Sequence, residues 1–197
     1  MFRILCLVLG YFIGCLQTAY IVGKFKKMDI RDHGSGNAGT TNTIRVLGMK
    51  TGIIVFVCDV LKAVAAYWMA VYIFGDPLAG MYSGLGTILG HNFPFFMNFR
   101  GGKGVASSLG IILSTDWLVA LMTFAVGICV VATSRYISLG ALTVLGLFPI
   151  FVFFYNYPPE VVGISVVMTA LAYFQLRGNI KRLVSGTESK FEPKWKR

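Results

Sequence analysis

The run Gly34-Ser35-Gly36-Asn37-Ala38-Gly39-Thr40-Thr41-Asn42-Thr43-Ile44-Arg45 lies between apolar stretches long enough to cross a membrane. Its glycines let the backbone bend tightly and expose N–H groups. Ser, Thr and Asn add short hydrogen-bonding arms, and Arg45 adds a planar cationic fork suited to phosphate. At the edge of a bilayer, such a loop fits the capture of a small anion. A plain inter-helix linker would need neither the asparagines nor the arginine. If a helix begins near Thr41, Arg45 lies just over one turn in, near the helix end that favours anions. His33, just before the run, reads as an exposed loop residue.

A second loop, Phe99-Arg100-Gly101-Gly102-Lys103-Gly104, leads directly into a short apolar segment. Backbone N–H groups beside a lysine at a helix start make another anion nest. The spacing is not that of a P-loop, because Gly104 follows the lysine where Ser or Thr would stand. Upstream, Gly90-His91-Asn92-Phe93-Pro94 closes an apolar segment. His91 is the main candidate for proton chemistry, against the plainer reading of a buried helix-end histidine. Asp59 and Lys62 lie three apart, on one helix face within a span. Ionisable groups at that depth face a partner or a wet cavity, so the pair is expected to support the site. A third polar cluster, Arg177-Gly178-Asn179-Ile180-Lys181-Arg182 with Gly186-Thr187-Glu188 after it, follows the last apolar segment. A basic segment there would also suit anionic lipid headgroups, but Asn179 is not needed for that.

The elements that must position these groups are membrane helices. The chain has 197 residues, 56% hydrophobic and 13% charged, with mean hydropathy +0.71. Soluble domains carry about 25% charged residues, so the chain reads as an all-α integral membrane protein, a polytopic bundle of about seven helices. The expected spans are 2–22, 51–74, 78–97, 138–155 and 161–176, with 105–114 and 117–133 forming a hairpin that is either spanning or re-entrant. The first is a retained span rather than a signal peptide, since no small-residue cleavage site follows it. The net charge of +10 is unevenly placed. Basic residues crowd 24–50, 98–104 and 177–197, whereas Asp76, Asp116 and Glu160 sit in short loops without basic neighbours. The positive-inside rule then puts the N-terminus outside and the C-terminus in the cytoplasm, with all three polar clusters on the cytoplasmic side. Charges spread over loops between spans do not suit nucleic-acid binding. Cys6, Cys15, Cys58 and Cys129 lie in apolar stretches without metal-ligand spacing; no metal site or cofactor is expected.

Taken together, Gly34-Ser35-Gly36-Asn37-x-Gly39-x-x-Asn42-x-x-Arg45, Asp59-x-x-Lys62, Gly90-His91-x-x-Pro94, Gly101-Gly102-Lys103-Gly104 and Asn179-Ile180-x-Arg182-Leu183-x-x-Gly186 resemble the bacterial acyl-phosphate:glycerol-3-phosphate acyltransferases, the PlsY family. The resemblance spans nearly the whole chain. It implies a single membrane acyltransferase domain over 1–197, in the bacterial inner membrane, with a cytoplasmic active site. It also implies transfer of a fatty acyl group from acyl phosphate to the 1-hydroxyl of glycerol 3-phosphate, at the start of phospholipid synthesis, with lysophosphatidic acid and inorganic phosphate as products. The enzyme that makes acyl phosphate becomes a candidate for substrate handover.

By that similarity Ser35, Arg45, Lys103 and Asn179 contact the substrate phosphates. Gly34, Gly36, Asn37, Gly39, Asn42, His91, Gly101, Gly102, Gly104, Arg177 and Arg182 complete the binding set. Two positions depart from the family: its usual His is Leu176 here, and its usual Glu is Gly178. Acyl phosphate is already activated, so positioning and charge neutralisation could suffice. The leaving phosphate or a water would accept the hydroxyl proton, with Ser35 as an acyl-enzyme nucleophile the rival. A transporter of glycerol 3-phosphate or other organic anions is the alternative function. It would need polar residues continuing toward the outer face, and the outer halves of these spans are almost wholly apolar.

Overall fold

The computed structural model describes residues 2–191. The regular elements among them are all helical, as the composition predicts. Ten α-helices follow in order: α1 Phe2–Gly14, α2 Thr18–Phe25, α3 Thr40–Leu47, α4 Met49–Phe74, α5 Pro77–Asn92, α6 Val105–Thr115, α7 Trp117–Ser134, α8 Ile137–Phe154, α9 Pro159–Gln175 and α10 Arg177–Val184. Four segments are long and apolar enough to cross a membrane: α1 with α2, α4, α7 and α8. The pair α9 and α10, bent by 62°, makes a fifth if taken as one span. The chain is an all-α integral membrane protein.

The expected spans are helical, the first interrupted between α1 and α2, and neither α5 nor α6 reaches across a bilayer core. Helix α5 stops at Asn92 instead of Met97, and a 3₁₀ turn, Phe95–Met97, follows. Pro94 lacks the N–H that would continue the helix. At 16 residues α5 is about 24 Å long, and α6, at 11, is about 16 Å; a bilayer core needs about 30 Å. The basic tail, expected as one amphiphilic segment, begins as α10, and its charges at Lys194, Lys196 and Arg197 lie outside the described residues.

The chain packs as two compact units, with the division after Ile111. In the first unit, α1 lies against α5 along a glycine seam. A side chain on Gly10 or Gly14 would strike the main-chain oxygen of Ser83 or Thr87. One on Gly86 or Gly90 would strike that of Leu7 or Tyr11. Small residues four apart let helices approach to backbone contact where no hydrophobic effect drives them together. The seam brings the end of α5 beside the break between α1 and α2. There Gln17 bridges the two, donating to the His91 carbonyl at 2.9 Å. Helix α4 closes on both, and Ser83 of α5 donates to its Ala66 carbonyl at 2.8 Å.

Two acidic residues of the short loops, Asp76 and Asp116, are helix caps. Asp76 accepts from the Leu78 N–H at 2.8 Å, just ahead of Pro77. In the second unit Asp116 accepts from the Leu118 and Val119 N–H groups at 2.7 and 3.1 Å. Its other oxygen takes the Tyr157 hydroxyl at 2.7 Å. Helix α9 is tied to α8 by Thr169 and Tyr173, which donate to the Leu145 and Leu142 carbonyls at 2.6 and 3.0 Å.

The seam makes a direct prediction. Gly86→Val should destabilise the protein by about 1–3 kcal/mol, the usual cost of overpacking, and lower its thermal midpoint in detergent. Gly163→Ala, at a helical glycine with open space around it, should leave the midpoint unchanged or raise it.

Candidate active site

The first loop is built around Asn42. This side chain is fully buried. Its oxygen accepts from the Ser35 N–H at 2.7 Å, and its nitrogen donates to the Ile30 and His33 carbonyls, both at 3.0 Å. One amide therefore closes 30–35 into a curl ahead of α3. Gly34 has φ +62°, and a side chain there would run into the Asn42 amide; only glycine meets both demands. Asn42, expected among the substrate ligands, spends these three hydrogen bonds on loop backbone. Ser35 and Gly36 are left exposed on the outer side of the curl. Gly39 is the N-terminal cap of α3. Arg45 is exposed and lies just over one turn into this eight-residue helix, as expected, which also places it in the helix's last turn.

The second loop is carried by the end of α5. The His91 carbonyl accepts from the Gly102 N–H at 3.0 Å and the Asn92 carbonyl from the Gly101 N–H at 3.1 Å. These two amides, expected as anion donors, instead fasten the loop to the helix end. A side chain on Gly102 would collide with the His91 imidazole on one side and press on the Ala38 carbonyl on the other. Gly102 is thus the point where the second loop touches the first. Lys103 follows, half-buried.

Beneath this junction lies a cluster of buried ionisable groups. Asp59 is 1% exposed, Lys62 8% and His91 3%. The Lys62 ammonium contacts an Asp59 oxygen at 2.9 Å, the His91 Nδ1 at 2.8 Å and the Leu16 carbonyl at 2.7 Å. Thr18 donates to the same Asp59 oxygen at 3.2 Å. Lys62 thereby satisfies a carbonyl that the break after α1 leaves without a helical partner, and it orients the imidazole that backs Gly102. His91 is closed off from the surface, so the arrangement gives it a structural part rather than the proton chemistry its motif suggests.

Arg31 joins the two loops from the outer side. It forms a two-pronged pair with Asp29, at 2.7 Å for the shortest contact. It also donates to the Met97 carbonyl at 3.0 Å and, more weakly, to that of Arg100 at 3.4 Å, and it stacks over Tyr20. Beside it is a cavity of about 280 Å³ lined by Arg31, Asp32, Gly36, Asn98, Arg100 and Gly101. Both glycine loops line this half-open space, through Gly36 and Gly101, and its charged groups are Arg31, Asp32 and Arg100. The hydrogen bonds from Arg31 hold the Asp29 carboxyl below the usual carboxylate range, against an opposing push from partial burial.

In the second unit, Asn179 of α10 is buried and donates to a Glu188 oxygen at 2.6 Å. Arg182 reaches the other oxygen at 2.6 Å. Arg177 is exposed, folded back over Phe174 and donating to its carbonyl. Leu176 is 3% exposed; where the family carries His, this chain has core packing. Gly178 is exposed.

The family model for glycerol-3-phosphate acyltransferase matches residues 4–186. The chain belongs to the glycerol-3-phosphate acyltransferase family. A relative of that name from Thermoanaerobacter pseudethanolicus is 42% identical over 195 residues, 98% of each chain. Another, from Shouchella clausii, is 43% identical over 192 residues, 94% of each. Two solved structures of PlsY, an integral membrane glycerol 3-phosphate acyltransferase, share the fold. Its glycerol 3-phosphate form has a TM-score of 0.90 at 37% identity over 96% of each chain. Its lysophosphatidic acid form has a TM-score of 0.88 at 36% identity over 97% of this chain and 96% of that one.

Arg31 as the brace between loops and Gln17 as the bridge at the helix break stand outside the sequence motifs. Asp29-x-Arg31, an acidic cap two residues before a base, was the available sign of the first. A lone glutamine in an apolar span was that of the second.

The Asp29–Arg31 brace predicts an acid sensitivity. A carboxyl held low in the folded state contributes stability that is complete above its unfolded pKa, about 4. That contribution is lost as pH falls through the folded value. Thermal midpoints measured from neutral to acid pH should fall less steeply for Asp29→Asn than for the parent protein, with the two differing most at neutral pH.

Proposed function

We propose that this chain transfers a fatty acyl group from acyl phosphate to the 1-hydroxyl of glycerol 3-phosphate, yielding lysophosphatidic acid and inorganic phosphate. The carrying observation is the meeting of the Ser35 and Lys103 loops beside one polar cavity, in a chain matched along nearly its whole length to an integral membrane enzyme named for that acceptor. The chain works as one acyltransferase domain in the bacterial inner membrane, with these loops on the cytoplasmic side. The basic loops and acidic caps support that orientation.

In the reaction the acceptor hydroxyl oxygen attacks the acyl carbonyl carbon. The carbonyl becomes a tetrahedral oxyanion; its collapse breaks the bond to the phosphate oxygen, and phosphate leaves. The hydroxyl proton passes to the departing phosphate or to a water, so no side chain must be oxidised, reduced or acylated. The work left to the protein is to hold two mutually repelling phosphates together and to neutralise charge as it moves. Arg45 and Lys103 supply fixed positive charge for this. Ser35, on the exposed side of the Asn42 curl, supplies a hydroxyl as phosphate ligand rather than nucleophile. Asn37 and the flanking glycines allow close backbone approach. In the second unit Asn179, Arg177 and Arg182 are the further ligands that the family motif assigns. Asn42, Asp59, Lys62, His91, Gly101 and Gly102 act by holding the loops in shape. The enzyme that produces acyl phosphate is the proposed source of the donor.

Purified protein given glycerol 3-phosphate with acyl phosphate should form lysophosphatidic acid, and with acyl-CoA should not. Product from acyl-CoA alone would overturn the donor, and no product from either would overturn the activity. Arg45→Ala and Lys103→Ala should each lower turnover roughly 100-fold or more, the scale of losing one charge-stabilising group, while the thermal midpoint is retained. Near-normal turnover in both would contradict the two-phosphate model.

A further inference from the structure

Two short turns of the first unit point large apolar rings away from the protein. In one, Phe95, Phe96 and Phe99 are 53%, 50% and 61% exposed, while Met97 between them is buried. Asn98 and Phe99 both lie in the left-handed region, at φ +54° and +56°. A bulky side chain rarely adopts that conformation, and it persists only where the surroundings enforce it. Here the Pro94 carbonyl accepts the Phe99 N–H at 3.1 Å, and Arg31 donates to the carbonyls of Met97 and Arg100. The chain thus accepts backbone strain in a turn that leaves the Phe99 ring outside. Facing water, the ring would add an apolar penalty to that strain; facing lipid, it becomes an anchor.

The other turn ends the span made by α1 and α2. Phe25 is 84% exposed and stands among Lys24, Lys26 and Lys27, all exposed. Lys27 is left-handed too, at φ +56°. The two turns meet at Tyr20. Phe96 packs edge-on against its ring with centroids 6.3 Å apart, and the Lys24 ammonium lies 5.2 Å from the ring centroid. Phe95 extends this surface to Phe12 of α1, at 6.2 Å. Asp29, the acidic residue of the stretch, is paired with Arg31, so its charge is matched there.

We propose that these turns form a docking surface for an anionic phospholipid of the surrounding bilayer. Its phosphate headgroup is drawn to Lys24, Lys26 and Lys27, and its acyl chains lie along Phe96 and Phe95 toward Phe12. Aromatic rings alone would suit any lipid, but lysines clustered around one phenylalanine at a span's end select a negative headgroup. None of these residues lines the cavity beside Arg31, so the surface is distinct from the candidate substrate space. Arg31 stacks on the same Tyr20 ring and holds the 95–100 turn; a seated lipid therefore steadies that brace as well.

The test takes the purified full chain in a neutral detergent and adds phosphatidylglycerol or phosphatidylcholine. Retained lipid is read by native mass spectrometry and stability by the thermal midpoint. Phosphatidylglycerol should be retained about fivefold better or more, the scale of one or more lysines at a charged surface, and should raise the midpoint where phosphatidylcholine does not. Raising the ionic strength should erode that preference. The triple variant Lys24→Gln, Lys26→Gln, Lys27→Gln should keep its lipid-free midpoint and lose most of the preference; Lys26→Gln alone should lose part of it, which keeps the test open if the triple variant fails to fold. Phe96→Ser should weaken retention of both lipids. Equal retention of the two lipids by the parent protein, or an undiminished preference in the lysine variants, would overturn the proposal. Displacement of bound phosphatidylglycerol by an equal concentration of acyl phosphate would also overturn it, by marking the surface as the donor's own. No readout here is turnover, so failure of the acyltransferase reading would leave the result standing.

Discussion

A lysine ammonium buried in the first unit meets three parts of the chain at one point. Lys62 meets Asp59 on its own helix, His91 on α5 and the Leu16 carbonyl at the break between α1 and α2. Removing charges from water costs several kcal/mol per ion, and their attraction offsets this only when the geometry is good and the remaining donors are satisfied. Here the ammonium has three close polar partners at 2.7–2.9 Å. The cluster is therefore a costly arrangement made tolerable by completeness, and a membrane helix can be broken at Cys15–Gln17 because Lys62 and Gln17 serve the groups that the break exposes.

From that cluster the loop geometry follows in steps. The imidazole that Lys62 orients backs Gly102, and the carbonyl of the same histidine accepts the Gly102 amide. Gly102 touches Ala38, and Asn42 closes the curl that presents Ser35. The glycine seam between α1 and α5 sets the distance over which this works, since a single methyl group at Gly86 or Gly90 would push the helices apart. Ser35 and Lys103, the proposed phosphate contacts of the two glycine loops, sit on short loops, each fastened to a helix end by a buried asparagine or histidine, which is how a loop can be held within the fraction of an ångström that acyl transfer needs.

Much of this was legible in residue types. Apolar runs marked the helices, and charge counts marked the loops worth attention. Glycine-rich spacing with Arg45, Lys103 and Asn179 marked the family. Two kinds of feature were not legible. Helix length at α5 depended on where Pro94 stops the helix, and the apolar pattern runs past that point without a change. The division of labour within the motifs also depended on packing. Asn42 and Asn37 look alike in a sequence, but only Asn42 falls at a helix position pointing into the curl. His91 looks like a catalytic base until Lys62 and Gly102 close around it.

The buried Asp59–Lys62–His91 cluster serves the geometry of the Lys103 loop more than the stability of the bundle. Replacing the ion pair as a whole, Asp59→Leu with Lys62→Met, leaves no lone buried charge, and such replacements are often neutral or stabilising by about 1–4 kcal/mol. The most direct measurement is glycerol 3-phosphate acyltransfer by that double variant alongside its thermal midpoint in the same detergent. If the cluster sets the loop geometry, the midpoint is retained or raised while turnover falls at least tenfold. Retained midpoint with turnover near that of the parent protein would contradict it.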